Sequence, residues 1–356
     1  MRTSLFEEHV KLNAKMVDFH GWEMPIQYSS IIEEHRQVRQ KAGLFDVSHM
    51  GDIMIEGKDA QDFLSYLLPT DLSKSRIGKA IYSAYLNENA AMIDDTIANK
   101  ISEEKFLVVP NAATTDKIYA WLVKNKKDFK VKISNISSKM SCLALQGPLS
   151  HEVMKNLHPE ANNLDHFALT NVSEMYPSPG LEDATIVSST GYTGEEGFEF
   201  IIPNEYAVAT WKKLLSNANV KPIGLGARDT LRMEKGFLLS GQDFNEDRDP
   251  IEAGVSWILD WDHDFIGKKN LEIRKDNIKR RFRGVVAEDK VIPRNGSIVK
   301  LNGKEVGILT SGTFSPSLSK GIGLGYFDSD LKVGMNVVVS TGKTEGKCLL
   351  SKPRMV

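Results

Sequence analysis

Met92-Ile93-Asp94-Asp95-Thr96-Ile97-Ala98 sets two adjacent carboxylates inside an otherwise apolar run. Its Ile and Thr content predicts a β-strand, in which neighbouring side chains point to opposite faces. On that geometry Ile93, Asp95 and Ile97 share one face, while Met92, Asp94, Thr96 and Ala98 share the other. Asp95 thus has a branched aliphatic neighbour on either side. A carboxylate so placed is either hydrogen-bonded in a largely buried setting or turned to a ligand pocket, because burying it unpaired costs roughly several kcal/mol or forces it to protonate. Asp94 takes the plainer part of satisfying nearby backbone donors. Upstream, Ala80 to Leu86 reads as a strand ending in Asn87-Glu88-Asn89, so the two strands form an antiparallel hairpin.

Around this hairpin the chain alternates short strands and helices. Phe106 to Asn111 is an apolar strand halted by Pro110, Asp59–Leu68 and Thr114–Lys124 have helical spacing, and Val131 to Ser137 alternates as a half-exposed strand should. Residues of roughly 51–139 therefore make a compact α+β unit. Before it, Leu5 to Val10 opens a short helix, and Met16 to Pro25 reads as strand then turn. Ser30 with Glu33 three positions on predicts an N-cap and a helix to about Lys41, which Gly43 is placed to end. Leu44 to Met50 and Gly51 to Glu56 are strand material. Here His49 reads as a satisfied structural histidine in preference to a catalyst, and Met50 as either a pocket wall or a core methionine.

Two later segments carry candidate binding groups. Ser189-Thr190-Gly191-Tyr192-Thr193-Gly194-Glu195-Glu196-Gly197-Phe198-Glu199-Phe200-Ile201-Ile202 places three glycines within seven residues, a loop able to approach a ligand closely. The strand leaving it puts Phe198, Phe200 and Ile202 on one face and Glu199 on the other. Glu199 is then either a solvated outer-face residue or an acceptor for two parallel N–H donors of a flat heterocycle, with Tyr192 supplying a ring face or edge. Gly224 to Glu234 runs from a loop into a helix start, where Asp229 can balance Arg232 and leave Arg228 for an anionic ligand. As a dinucleotide fingerprint it fails, since Asp229 holds the third glycine position.

Asp243-Phe244-Asn245-Glu246-Asp247-Arg248-Asp249-Pro250 resembles the spaced acids of a calcium loop, but Arg248 replaces the required glycine and Gly254 the closing glutamate, so no metal is expected. Trp257 lies in Gly254 to Leu259, a buried strand by composition. After a Lys-rich helix and linker at 268–281, short strands separated by Gly, Pro, Asn and Ser predict a small β-barrel or sandwich. Thr313 to Leu318 reads as a loop. The basic linker reads as a solvated helix face, an acidic partner being the other option.

Composition narrows the function. The formal charge of −2 gives no polyanion-binding surface, so nucleic acid is not an expected partner. The only cysteines, Cys142 and Cys348, are far apart, which excludes a cysteine zinc site and suits a reducing compartment. No run of about 18 apolar residues predicts a membrane span. The mixed, acidic N-terminus is not a targeting signal, leaving a cytoplasmic location as the expectation.

Lys15 to Phe19 with Gly21 to Pro25, Leu44 to Met50, Met92 to Asp95, Leu145-Gln146-Gly147-Pro148, Gly191 to Glu199, Gly224 to Leu231 and Thr310 to Pro316 occur in an order that resembles the glycine cleavage system T-protein family. The resemblance covers nearly the whole chain. It implies an α+β, three-domain cloverleaf fold: a folate-binding region over 1–270, its inner subdomain at roughly 51–139, and a C-terminal β-barrel over 271–356. The activity it implies is an aminomethyltransferase. The aminomethyl group on the lipoyl arm of H-protein passes its carbon to tetrahydrofolate, ammonia leaves, and methylene-tetrahydrofolate forms. The family's catalytic aspartate falls on Asp95, its pterin-binding glutamate on Glu199 and its tail-facing arginine on Arg228. Tyr82, Asn111 and Tyr192 match folate-lining positions, with Met50 and Trp257 as walls. Asp95 would be ionised near neutral pH unless strongly desolvated. Two departures stand out: Ala90-Ala91 replaces a glycine pair, and Asn99 stands where relatives carry an aromatic. Other expectations on the same fold are a tetrahydrofolate-dependent demethylase and a non-enzymatic iron–sulfur maintenance protein. The latter would carry a cysteine in its signature loop, and residues 191–199 have none.

Overall fold

A computed structural model describes residues 1–356 in full. It is a mixed α+β protein that divides into two compact units, Met1–Ser83 with Asp94–Arg228, and Ala84–Ile93 with Asp229–Val356. No helix is long and apolar enough to cross a membrane.

The first unit holds a six-stranded sheet in the order Leu169–Asn171, Ile186–Ser188, Gly197–Pro203, Met140–Gln146, Ala42–Asp46, Val220–Pro222. Residues directly opposite across antiparallel strands share a face. One row therefore runs Leu44, Leu145, Phe198, and it sits in a buried core with Leu143, Phe200, Ile202 and Trp211. The row on the other face runs Phe45, Ala144, Glu199, Ser188. The expected split of Phe198, Phe200 and Ile202 from Glu199 is thus observed.

The predicted hairpin lies in a five-stranded sheet ordered Lys79–Leu86, Met92–Ser102, Lys105–Pro110, Ile53–Glu56, Lys132–Asn135. The pairs Ile97↔Val109 and Ala98↔Val108 fix which side chains face together. On the Asp94 face, Lys100 Nζ donates to Gln61 Oε1 of helix Ala60–Leu67, and Thr114, which precedes helix Thr115–Asn125, donates to Asp94. Two helices thus cover that face, and Asp95 is turned to the other. The hairpin tip belongs to the second unit: Met92 N donates to Arg248 O, and Glu246 N donates back to Met92 O.

The second unit ends in a closed six-stranded barrel ordered Arg280–Ala287, Lys320–Asp328, Lys304–Ser315, Ile298–Leu301, Asn336–Ser340, Glu345–Ser351. Val285, Val299, Leu309, Phe327, Val339 and Leu350 fill it. In the same unit the buried Arg232 guanidinium donates to Asp243 at 2.7 Å and to Ser311 Oγ at 2.9 Å. Asp243 is therefore the counter-charge of an arginine.

Ser30 caps helix Ile31–Gln40 as expected, its Oγ accepting from Glu33 N at 3.2 Å. Several expectations need correction. Gly43 does not end that helix; it lies inside strand Ala42–Asp46, where a Cβ would come within 2.6 Å of Ile223 and Val38 side-chain atoms. Pro25 is inside strand Trp22–Gln27, because His20 and Gly21 at φ 53° and 83° already make the turn. Thr313 to Ser315 end strand Lys304–Ser315, where Thr313 pairs with Ile322. Trp257 is not in a buried strand: Ser256–Ile258 is a single 3₁₀ turn, and Trp257 is 68% exposed. Its neighbours bond locally, Val255 N to Pro250 O and Leu259 N to Ser256 O, so no ladder can form.

Candidate active site

Alternation along Met92–Ser102 separates the two aspartates, and their surroundings then give them different chemistry. Asp94 is fully buried and accepts from Asn111 N at 3.0 Å, Asn111 Nδ2 at 2.8 Å and Thr114 Oγ1 at 2.6 Å. It is a satisfied interior carboxylate, as its plainer assignment required. Asp95 keeps some exposure and accepts from the Tyr82 hydroxyl at 2.8 Å and from Asn111 Nδ2 at 2.7 Å. One amide nitrogen therefore bridges both carboxylates.

Burial, and next the negative charge of Asp94, push the Asp95 carboxyl up to about 7; the Tyr82 and Asn111 donors only partly offset them. The strongly desolvated case therefore applies. This group gives up its proton at a much higher pH than an ordinary aspartate. Burial, followed by the charge of Asp95, holds the Tyr82 phenol far above its ordinary range, so it remains a donor.

Glu199 projects from strand Gly197–Pro203 on the face opposite the core row. Its Oε2 accepts from Thr190 Oγ1 at 2.5 Å, and Ser188 Oγ lies 2.7 Å behind Thr190 Oγ1. Gln146, fully buried on the adjacent strand, braces the glycine loop at its start and its middle: Nε2 donates to Thr190 O at 3.0 Å, and Oε1 accepts from Thr193 Oγ1 at 2.8 Å. A Cβ on Gly191 or Gly197 would strike that amide, which explains two of the three glycines.

The braced loop presents Tyr192, and the Arg228 guanidinium carbon sits 4.8 Å from its ring centroid. Arg228 Nη1 is buried with no hydrogen-bond partner. A buried cationic donor without a partner costs free energy unless something binds it. Tyr192 also acts electrostatically on Tyr82, and Glu199 and Arg228 both act on the buried Cys142 thiol, so these groups lie around one region of the first unit. His49 is packed edge-on to Phe19 at 5.4 Å, and burial pushes its imidazole down to about 4, so it stays neutral near pH 7. Met50 follows it, partly exposed.

Of the sequence-predicted residues, Asp95, Tyr82 and Asn111 come together as one hydrogen-bonded cluster, and Tyr192 and Arg228 as a stacked pair. Glu199 stands on the strand that leaves the same loop. Trp257 lies in the second unit. Sequence reading missed Thr190, Ser188 and Gln146. Their only signal was position: two hydroxyls just before the glycine loop, and an amide before Gly147.

These residues fit a reduced pterin with an anionic tail: Glu199 offers acceptors, Tyr192 a ring, and Arg228 an unpartnered cationic donor.

Comparison with known proteins shows the family. Residues 5–263 match the family model described as the GCVT N-terminal domain, and residues 280–356 match the glycine cleavage T-protein C-terminal barrel domain. The chain is 42% identical over 357 residues to the aminomethyltransferase of Thermotoga maritima, covering 99% of this chain and 97% of that one. It is 42% identical over 366 residues to that of Staphylococcus carnosus, covering 100% and 98%. The crystal structure of glycine cleavage system aminomethyltransferase T from Bartonella henselae superposes with a TM-score of 0.93 at 33% identity, covering 100% of this chain and 98% of that one.

Proposed function

The chain belongs to the glycine cleavage T-protein family, and from that premise we propose how its own residues carry out aminomethyl transfer to tetrahydrofolate. The protein is a folate-dependent aminomethyltransferase of the glycine cleavage system, with tetrahydrofolate as cosubstrate. Its donor is the aminomethyl-lipoyl arm of H-protein, and the products are ammonia and methylene-tetrahydrofolate. The two buried, free cysteines suit a reducing, cytoplasmic setting.

Tetrahydrofolate supplies, when bound, the nitrogens that accept the one-carbon unit. Glu199 accepts the paired N–H donors of the pterin edge. Tyr192 gives it an aromatic face, Arg228 holds the tail carboxylates, and Met50 provides an apolar wall, whereas the expected second wall, Trp257, is exposed in the other unit. Asp95 faces the reacting nitrogens. Held between Tyr82 and Asn111, it has one orientation, and a carboxyl near 7 both gives and takes a proton at working pH. As the carboxylate it stabilises positive charge on the transferring carbon, a preorganised contact worth about 3 kcal/mol.

The observation that carries this reading is the Asp95 carboxyl, raised towards neutrality and pinned by two donors. The test is ammonia release from aminomethylated, lipoylated H-protein. Ammonia and methylene-tetrahydrofolate should appear in equal amounts and only when tetrahydrofolate is present. One-carbon transfer from a small methylated amine, with none from H-protein, would refute it in favour of the demethylase.

A further inference from the structure

The Glu199 carboxylate does not hold its position alone. Thr190 has one hydroxyl hydrogen, and at 2.5 Å from Glu199 Oε2 that hydrogen is committed to the carboxylate. The 2.7 Å contact between Ser188 and Thr190 must then have Ser188 as donor. The result is a one-way chain, Ser188 to Thr190 to Glu199. All of it is anchored in strand structure: Ser188 is the direct cross-strand partner of Glu199, and Thr190 main-chain oxygen accepts from the buried Gln146 amide. Ser188 and Thr190 are 3% and 4% exposed, so water does not compete for these hydroxyls.

A glutamate has three side-chain torsions and loses binding free energy whenever they must be ordered by the ligand itself. A donor on one oxygen removes that freedom beforehand. It also fixes the carboxylate plane, which decides whether two parallel N–H groups can be met at once. Each oxygen has a second acceptor direction, so the Thr190 contact does not use up the capacity for ligand.

We propose that Thr190, backed by Ser188, is a positioning residue that presets the Glu199 carboxylate for the flat, two-donor edge of its ligand. This rests on the reading of Glu199 as the pterin acceptor, and the variants below separate the two. Both hydroxyls are buried and their hydrogens are spent within the chain, so the effect falls on binding and leaves the chemical step alone.

The experiment measures tetrahydrofolate affinity by anaerobic calorimetry, with KM and kcat from the H-protein assay, on four full-length variants. Thr190→Val keeps the shape and deletes the donor; it should raise Kd and KM about tenfold, as loss of one charge-assisted hydrogen bond does, with kcat within about twofold. Thr190→Ser, which restores the hydroxyl, should return both to within about twofold of wild type. Ser188→Ala should weaken binding about threefold, as loss of a neutral second bond does. Wild-type affinity in Thr190→Val alongside weakened binding in Glu199→Gln would overturn the proposal and keep Glu199 in place. Wild-type affinity in Glu199→Gln would overturn the reading beneath it. Failure of Thr190→Ser to rescue would also overturn the proposal. Should Thr190→Val not fold, Ser188→Ala decides: unchanged Kd there removes the chain from ligand binding.

Discussion

Asp95→Asn should trade activity for stability, and the trade should depend on pH. The folded-state carboxyl is raised from 3.8 to about 7, chiefly by burial and then by Asp94. The folded protein therefore binds more protons than the unfolded chain between those values, and stability falls as pH rises through that window. At about 1.4 kcal/mol per pH unit the whole penalty comes to roughly 4–5 kcal/mol above pH 7. Asparagine carries no such charge. It keeps the shape, its oxygen still accepts from Asn111, and Tyr82 turns its hydroxyl to accept from the new amide. Relative to wild type, the variant should gain about 2–3 kcal/mol between pH 5 and pH 8. Turnover should drop roughly 10²-fold, since the transition-state contact and the titrating proton are both lost. Urea unfolding at pH 5 and 8, with parallel ammonia-release assays, measures both. A stability difference that does not change with pH would show that Asp95 is not desolvated. Turnover within a few-fold of wild type would remove it from the chemistry.

Two further outcomes test the frame around the site. Asp243→Ala leaves the Arg232 guanidinium, 1% exposed, with the half-exposed Asp229 carboxylate at 2.8 Å as its remaining counter-charge, and should cost about 3 kcal/mol in urea unfolding. A loss under about 1 kcal/mol would mean that the surrounding oxygens suffice. Ser30→Ala removes the acceptor for Glu33 N and should cost about 1 kcal/mol, read as a lower thermal midpoint with unchanged turnover.

The sequence disclosed features that depend on local period and missed those that depend on partners far along the chain. Alternation alone separated Asp94 from Asp95 and Glu199 from its aromatic neighbours, because a strand of period two leaves no other arrangement. Regular spacing of short strands and turn residues made the barrel legible. The ionisation of Asp95 was not legible, since its donors come from Tyr82 on one neighbouring strand and Asn111 beyond another. Gly43 looked like a helix stop because only Val38 and Ile223, the latter 180 positions away, reveal the close approach that demands glycine. Trp257 misled for the opposite reason. Its apolar neighbours suggested a buried strand, but local backbone bonds consume the groups that a ladder would need.

The hairpin tip at 84–93 lies with residues 229–356, and Asp94 is the first residue after the chain crosses back. On the ribosome, the strand bearing Asp95 is made well before Glu246 and Arg248, which tie down its first residue. The strand bearing Asp95 must therefore wait, one end untethered, while about 150 more residues emerge, a delay of roughly ten seconds or more at typical rates of synthesis. Cutting the gene after residue 228 would not release a self-sufficient first unit: it would strand that tip without its anchors, two residues from the Asp95 carboxyl.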